Sequence, residues 1–285
     1  MQREVPLGVW FYSSFLVFIF FALFFFIPQD KIYSTYDTKL NQLTLIEENQ
    51  TSIVAIGTSL TAHSFYFNEE MNSLAKKYHI ENLNFLRFAH GGRDFRYFDK
   101  LFEKLIKINT DIIFLDASLL FYKNQEINAI REFRKEIIIK IKNMLHTFRI
   151  FSYESLVDKN LHQSTEINLL EWQKNVVKFK KRYKSLPDFV IRFLTDAKKN
   201  GKRIYIFKFT RAKEAQELFP KEFLTYEKEM VSYYQKKYNV NYIEYPSKLS
   251  KDYYIDFVHS NMKGRVEISK FFLLKVKVVL EKNTQ

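Results

Sequence analysis

Five short apolar runs punctuate the chain, at Ser52–Ile56, Leu83–Phe88, Ile112–Leu115, Arg203–Phe207 and Val240–Tyr245, and each reads as a buried strand. Between them lie stretches with helical spacing: Phe95–Ile108, Asp188–Asn200 ahead of Gly201, Ala212–Tyr238 with a break near Pro220, and Met262–Leu280. Strands alternating with helices predict a doubly wound parallel sheet covered by helices on both faces. In such a domain a ligand sits beyond the carboxyl ends of the strands. The positions to inspect are then 58–61, 89–93, 116–118, 208–211 and the loop before Asp256.

Two segments stand outside this alternation. From Gly8 to Ile27 about twenty residues carry no charge, enough for a helix to cross roughly 30 Å of hydrocarbon. This predicts a transmembrane anchor rather than a cleaved leader, because the run exceeds a signal-peptide core and Phe25, Ile27 and Pro28 offer no small-residue cleavage site. Arg3 is opposed by Glu4, and Asp30 and Lys31 flank the far end, so charge does not orient the span. A short tail, one span and a large C-terminal domain place that domain outside the cytoplasm, on the periplasmic or extracellular face. The expected organisation is a tail and anchor over 1–28, a stalk over 29–51 and the α/β domain over 52–285.

The second segment, 119–187, is far longer than a crossover needs and reads as a helical insertion. Ile127, Ile130, Phe133, Ile137, Ile138, Ile141 and Leu145 recur at helical intervals, with Arg131, Arg134, Lys135, Lys140 and Lys142 on the remaining faces. A basic run follows at Lys178, Lys180, Lys181 and Arg182. Such faces either pack on the domain edge or form a lid or a membrane- or partner-docking surface.

A chain of 285 residues that is 47% hydrophobic and 27% charged is globular rather than disordered. A net charge of +13 ordinarily suggests nucleic acid, but an outward-facing anchored domain meets none. Anionic headgroups or an anionic surface polymer fit better, beside the plainer account of solvated lysines on surface helices. The absence of cysteine is compatible with an outside location. With no Cys, no His-x-x-x-His cluster and no phosphate-binding glycine pattern, neither a metal nor a nucleotide cofactor is expected.

The chemistry concentrates in two places. Gly57-Thr58-Ser59-Leu60 follows the first strand, which puts Ser59 at the carboxyl edge of the sheet, although a serine there also serves as an ordinary helix cap. Asp256-Phe257-Val258-His259 precedes the last helix. A serine hydroxyl needs a base to take its proton, and a carboxylate on the other imidazole nitrogen fixes the tautomer; Asp and His three residues apart on one loop meet that need. His63 and His90 are rival bases. His63 is disfavoured because a helix aims it away from Ser59 and no carboxylate follows it at a fixed spacing.

The GTSL turn and the DxxH loop, in this order and about two hundred residues apart, resemble the SGNH (GDSL) superfamily of esterases and acyltransferases. The resemblance runs from about Ser52 to the C-terminus, leaving 119–187 unmatched. It implies a flavodoxin-like three-layer α/β fold, Ser59 as nucleophile, His259 as base and Asp256 as its partner. It also implies oxyanion donors at the Ser59 N–H and at Gly91 or Gly92 in AHGGRD. Two positions depart from the family pattern: Thr58 stands where Asp is common, and Asp116 replaces an Asn whose amide donates to the oxyanion. A carboxylate has no hydrogen to give, so Ser118 is the expected substitute.

With a single N-terminal span added, the architecture looks like the membrane-tethered SGNH accessory proteins of surface-polymer acylation, such as those of teichoic-acid D-alanylation and alginate acetylation. These act beside a polytopic membrane-bound O-acyltransferase. Two functions follow as expectations: acyl transfer or ester hydrolysis on a cell-surface polysaccharide through an acyl-Ser59 intermediate, or a weak or inactive glycan-binding and scaffolding module on the same fold.

Overall fold

The computed structural model describes residues 7–26, 40, 43, 50–90, 95–108, 110–123, 137–138, 181–182, 186, 188–246 and 249–281. The chain forms two compact units, one of Met1–Lys39 with Ile127–Lys159 and one of Leu40–Glu126 with Asn160–Gln285. In the first, helix α1 runs from Leu7 to Phe26. Its described side chains are mostly exposed, including Trp10, Phe11, Leu16 and Phe18. Among the described residues no helix is long and apolar enough to cross a membrane, the side chains of α1 being described only at 7–19 and 22.

The second unit holds a five-stranded sheet of β1 (Thr51–Gly57), β2 (Leu83–Ala89), β3 (Ile112–Asp116), β4 (Arg203–Lys208) and β5 (Asn241–Glu244), in the order β2-β1-β3-β4-β5. Every neighbouring pair is parallel. The direction of winding changes between β1 and β3, and the crevice at such a switch point is where doubly wound domains place their sites. Register brings Gly57 beside Ala89 and Asp116 beside Phe207, so the residues after these strands share one edge.

Alternation along the strands divides the core. Ile53, Ala55, Phe85, Ile112, Phe114 and Phe207 face a layer made by α2 (Ser59–Ser64), α3 (Asn68–Lys77) and α9 (Met262–Glu281), through Met71, Ala75, Ile268, Phe272, Leu273 and Val276. The intervening Val54, Ile56, Ile113 and Leu115 are buried on the other face. There α4 (Asp99–Lys107) and α6 (Asp188–Lys199) meet through Phe102 and Phe193, whose ring centres lie 4.2 Å apart. The short α5 (Ala117–Phe121) and α7 (Lys213–Glu217) follow β3 and β4, and α8 (Lys221–Tyr238) leads to β5.

Much of the phenylalanine content fills this core. Phe65, one residue past α2, sits among Phe85, Phe207, Phe209 and Phe272, with ring centres 4.5–5.9 Å away. Each ring taken out of water contributes about 1.5–3 kcal/mol, and here they also fix where α2 ends. The outer edge of β2 is closed by side chains. Asn68 and Asn72, one turn apart on α3, accept from the Arg87 and Phe85 N–H groups at 3.1 and 2.9 Å, which leaves fewer free donors on an exposed edge.

Several observed boundaries differ from the sequence reading. The expected helix at Phe95–Ile108 opens as a 3-10 turn over Phe95–Phe98, and α3 was not foreseen. Within the expected stalk, Leu40 and Leu43 are buried and belong to the sheet-bearing unit. At the base of the insertion Tyr122–Lys123 pairs antiparallel with Lys181–Arg182; the expected insertion helices otherwise lie outside the described residues, except at 137–138.

Candidate active site

β1 delivers Ser59 directly to the sheet edge. Thr58 caps the following turn, its hydroxyl accepting from Leu60 N–H at 3.3 Å, and Ser59 opens α2. Among the described residues the Ser59 N–H has no acceptor, so it stays available to a ligand oxygen.

The Asp–His loop comes from the other end of the chain and closes on itself. Tyr254 and Ser260 form an antiparallel bridge, and Ile255 N–H donates to His259 O at 2.8 Å. The loop is tied to the start of α7, after β4, by Ala212 N–H on Phe257 O at 2.9 Å. Two bonds then join it to both ends of α2. His259 Nε2 lies 2.7 Å from Ser59 Oγ, and Ser260 Oγ lies 3.1 Å from Ser64 Oγ. His259 Nδ1 is 2.6 Å from Asp256 Oδ2.

These distances define a direction for proton movement. A carboxylate only accepts, so Nδ1 carries the hydrogen and, in the neutral ring, Nε2 is left to accept the Ser59 hydroxyl proton. Asp256 Oδ1 also accepts from the Val258 and His259 N–H groups at 2.9 and 2.7 Å. Burial alone pushes the Asp256 carboxyl up, but the His259 hydrogen bond and charge and these backbone bonds outweigh it and hold the carboxyl below its ordinary value.

Asp116 takes no part in that line and offers no donor. Buried at the end of β3, it accepts through Oδ2 from Thr58 N–H, Thr58 Oγ1 and Thr61 Oγ1 at 3.2, 2.7 and 3.2 Å. Oδ1 accepts from Ser118 N–H and Ser118 Oγ at 2.9 and 2.7 Å. The Ser118 donors, expected to serve an oxyanion, are therefore both spent on Asp116. Gly91 and Gly92 lie outside the described residues.

His63 was expected to point away, yet its ring lies against that of His259, with centres 4.9 Å apart. Burial first, then the charges of His259 and Arg265, hold its pKa down at about 4. His90 packs against Tyr97 at 4.7 Å, and its N–H donates to Gly57 O at 3.0 Å.

Two buried arginines that sequence reasoning passed over grip the far end of α2. Arg265 Nε donates to His63 O at 2.9 Å and Arg87 Nη1 to Ala62 O at 2.8 Å, with a further Arg87 bond to Phe65 O. A lone Arg in the apolar strand Leu83–Ala89 was the available signal. Away from this site, a cavity of about 590 Å³ between α4 and α6 is bounded by Phe102, Ile106, Phe189 and Phe193 and includes no member of the Ser–His–Asp line.

The fold and site together define a doubly wound α/β domain with a serine, a histidine and an aspartate hydrogen-bonded in sequence at its switch point. Solved structures to which the chain is similar include a G-D-S-L-family lipolytic protein from Veillonella parvula, at 12% identity and a TM-score of 0.39 over 77% of this chain and 94% of that one. Another is a variant of an acetyl xylan esterase from Geobacillus stearothermophilus, at 12% identity and 0.41 over 79% and 94%. No protein-family model and no curated protein sequence matches the chain.

Proposed function

We propose that the chain is a membrane-anchored serine acyltransferase or esterase that modifies a cell-surface polysaccharide beside a membrane-bound O-acyltransferase. The observation that carries the reading is the continuous line Ser59 Oγ, His259 Nε2, His259 Nδ1, Asp256 Oδ2, with links of 2.7 and 2.6 Å. In the reaction Ser59 Oγ attacks an acyl carbonyl while His259 takes its proton. The tetrahedral oxyanion is met by the Ser59 N–H, and its collapse expels an alcohol that regains the proton from His259. A glycan hydroxyl, or water, then repeats the attack on acyl-Ser59 and leaves the enzyme unchanged.

Anchoring is supported by the uncharged, apolar run from Gly8 to Ile27 in the sequence. Purified protein should react with a fluorophosphonate, and labelling should require both Ser59 and His259; undiminished labelling of Ser59→Ala ends the proposal.

One observation favours a second reading, a glycan-binding module of low activity. Asp116 and Ser118 supply no oxyanion donor, and losing one such donor costs about 10²–10³ in rate. A native protein that binds polysaccharide but is inert to fluorophosphonate would establish this reading.

A further inference from the structure

We infer that Asp116 is a positioning residue that holds the Ser59 turn from beneath, an inference that rests on the acyl-Ser59 reading. Its carboxylate grips the residue before Ser59 and the residue two after it, through Thr58 and Thr61, and its second oxygen is pinned by Ser118. The nucleophile is thus carried on a turn bonded at both flanks to the end of the neighbouring strand.

Close approach makes this possible. A Cβ at Gly57 would lie 1.7 Å from Thr61 Oγ1 and 2.8 Å from Asp116 Cβ, so the strand end must be bare for the carboxylate and Thr61 to meet.

The donors explain why the group is an aspartate. Three of the five are hydroxyls that can rotate to another acceptor, but the Thr58 and Ser118 N–H groups are fixed by the backbone, and they address different oxygens, at 3.2 and 2.9 Å. An asparagine has one oxygen. Whichever way its amide is turned, an NH₂ faces one of the two backbone N–H groups, and that side of the turn loses its acceptor. The position therefore calls for a carboxylate, whereas a side chain serving the oxyanion calls for a donor.

Asp116→Asn separates the two roles because they demand opposite outcomes. Displacement of Ser59 from His259 predicts a fluorophosphonate labelling rate constant lower by on the order of 10²-fold, with the apparent inhibitor affinity little changed. Thr61→Val, a milder loss of one donor, should lower it several-fold. Labelling by Asp116→Asn as fast as or faster than native overturns the inference, since it means that residue 116 is a donor slot.

Hydrogen exchange supplies a readout independent of reactivity. Asp116→Asn should speed exchange at the Thr58 or Ser118 amide while the amides of β4 keep their protection; unchanged exchange at both also overturns the inference. If native protein fails to label at all, the acyl-Ser59 reading falls while the exchange experiment still decides the role of Asp116. Should Asp116→Asn not fold, Thr61→Val carries both measurements.

Discussion

Thr58 Oγ1 donates to Asp116 Oδ2 at 2.7 Å across 58 positions of sequence, and the same oxygen receives Thr61 Oγ1 at 3.2 Å. Ser59 lies between these two threonines. Its backbone is consequently set by the sheet beneath it, and its hydroxyl is left to His259.

The interlock leaves no room for a side chain at Gly57. In Gly57→Ala the new methyl group would overlap Thr61 Oγ1 at 1.7 Å and crowd Asp116 Cβ at 2.8 Å, so the turn must move away from β3. Overpacking of this kind costs about 1–3 kcal/mol or more. Urea unfolding should show a loss of that size together with strongly reduced fluorophosphonate labelling. Native stability in Gly57→Ala would mean that strand and turn do not meet as described.

Asp256 contributes to both chemistry and acid stability. Asp256→Asn removes the acceptor that fixes the His259 tautomer, and a loss on the order of 10²–10⁴ in turnover is expected. The folded carboxyl lies below its unfolded value, so its stabilisation is fully present above the ordinary carboxylate pKa of about 3.9. It is lost as pH falls through the lower folded value. The stability gap between native and Asp256→Asn protein should therefore narrow as pH falls through the carboxyl's folded value. A gap that persists unchanged in strong acid contradicts the lowered Asp256 carboxyl.

What could be read from the sequence follows from what each feature depends on. Buried parallel strands appear as uninterrupted apolar runs, which is why β1 to β4 were placed within a residue or two. α3 escaped because few of its positions are apolar, with Met71 and Ala75 buried among charged neighbours. Ser59, Asp256 and His259 were legible because the chemistry restricts the residue types and Asp–His spacing is local. The function of Asp116 was not, since three of its five donors come from Thr58 and Thr61, more than fifty positions away, and two of the five are backbone N–H groups that leave no trace in residue identity.

The proposed anchor and the expected basic insertion make a joint prediction. Removing Met1–Lys39, which belongs to the other compact unit, should shift the protein from membranes to the soluble fraction and leave fluorophosphonate labelling of Ser59 intact. In the full chain, changing Arg134, Lys140, Lys180 and Lys181 to Glu should weaken binding to vesicles of anionic lipid, at about 1 kcal/mol per residue close to the surface. It should also reduce polymer acylation in cells while sparing probe labelling. Unaltered vesicle binding and acylation would assign these charges to solvation alone.

His63 gives the site a second acid sensitivity, distinct from that of Asp256. Its Nδ1 is buried without a hydrogen-bond partner, its ring rests on that of His259, and burial first, then the charges of His259 and Arg265, disfavour a proton there against the pull of Asp256. The folded pKa of about 4 lies below the unfolded value of 6.5. Between these limits the unfolded chain holds a proton that the folded one lacks, so stability falls as pH drops below 6.5 and levels off near 4. The loss between pH 7 and pH 5 amounts to at most about 2 kcal/mol. His63→Phe keeps a ring against His259 and removes both the titration and the unpartnered nitrogen. Its unfolding free energy should therefore change less than the native value between pH 7 and pH 5, measured by urea denaturation at each pH. A native-like slope in His63→Phe would show that His63 is protonated in the folded protein at pH 5.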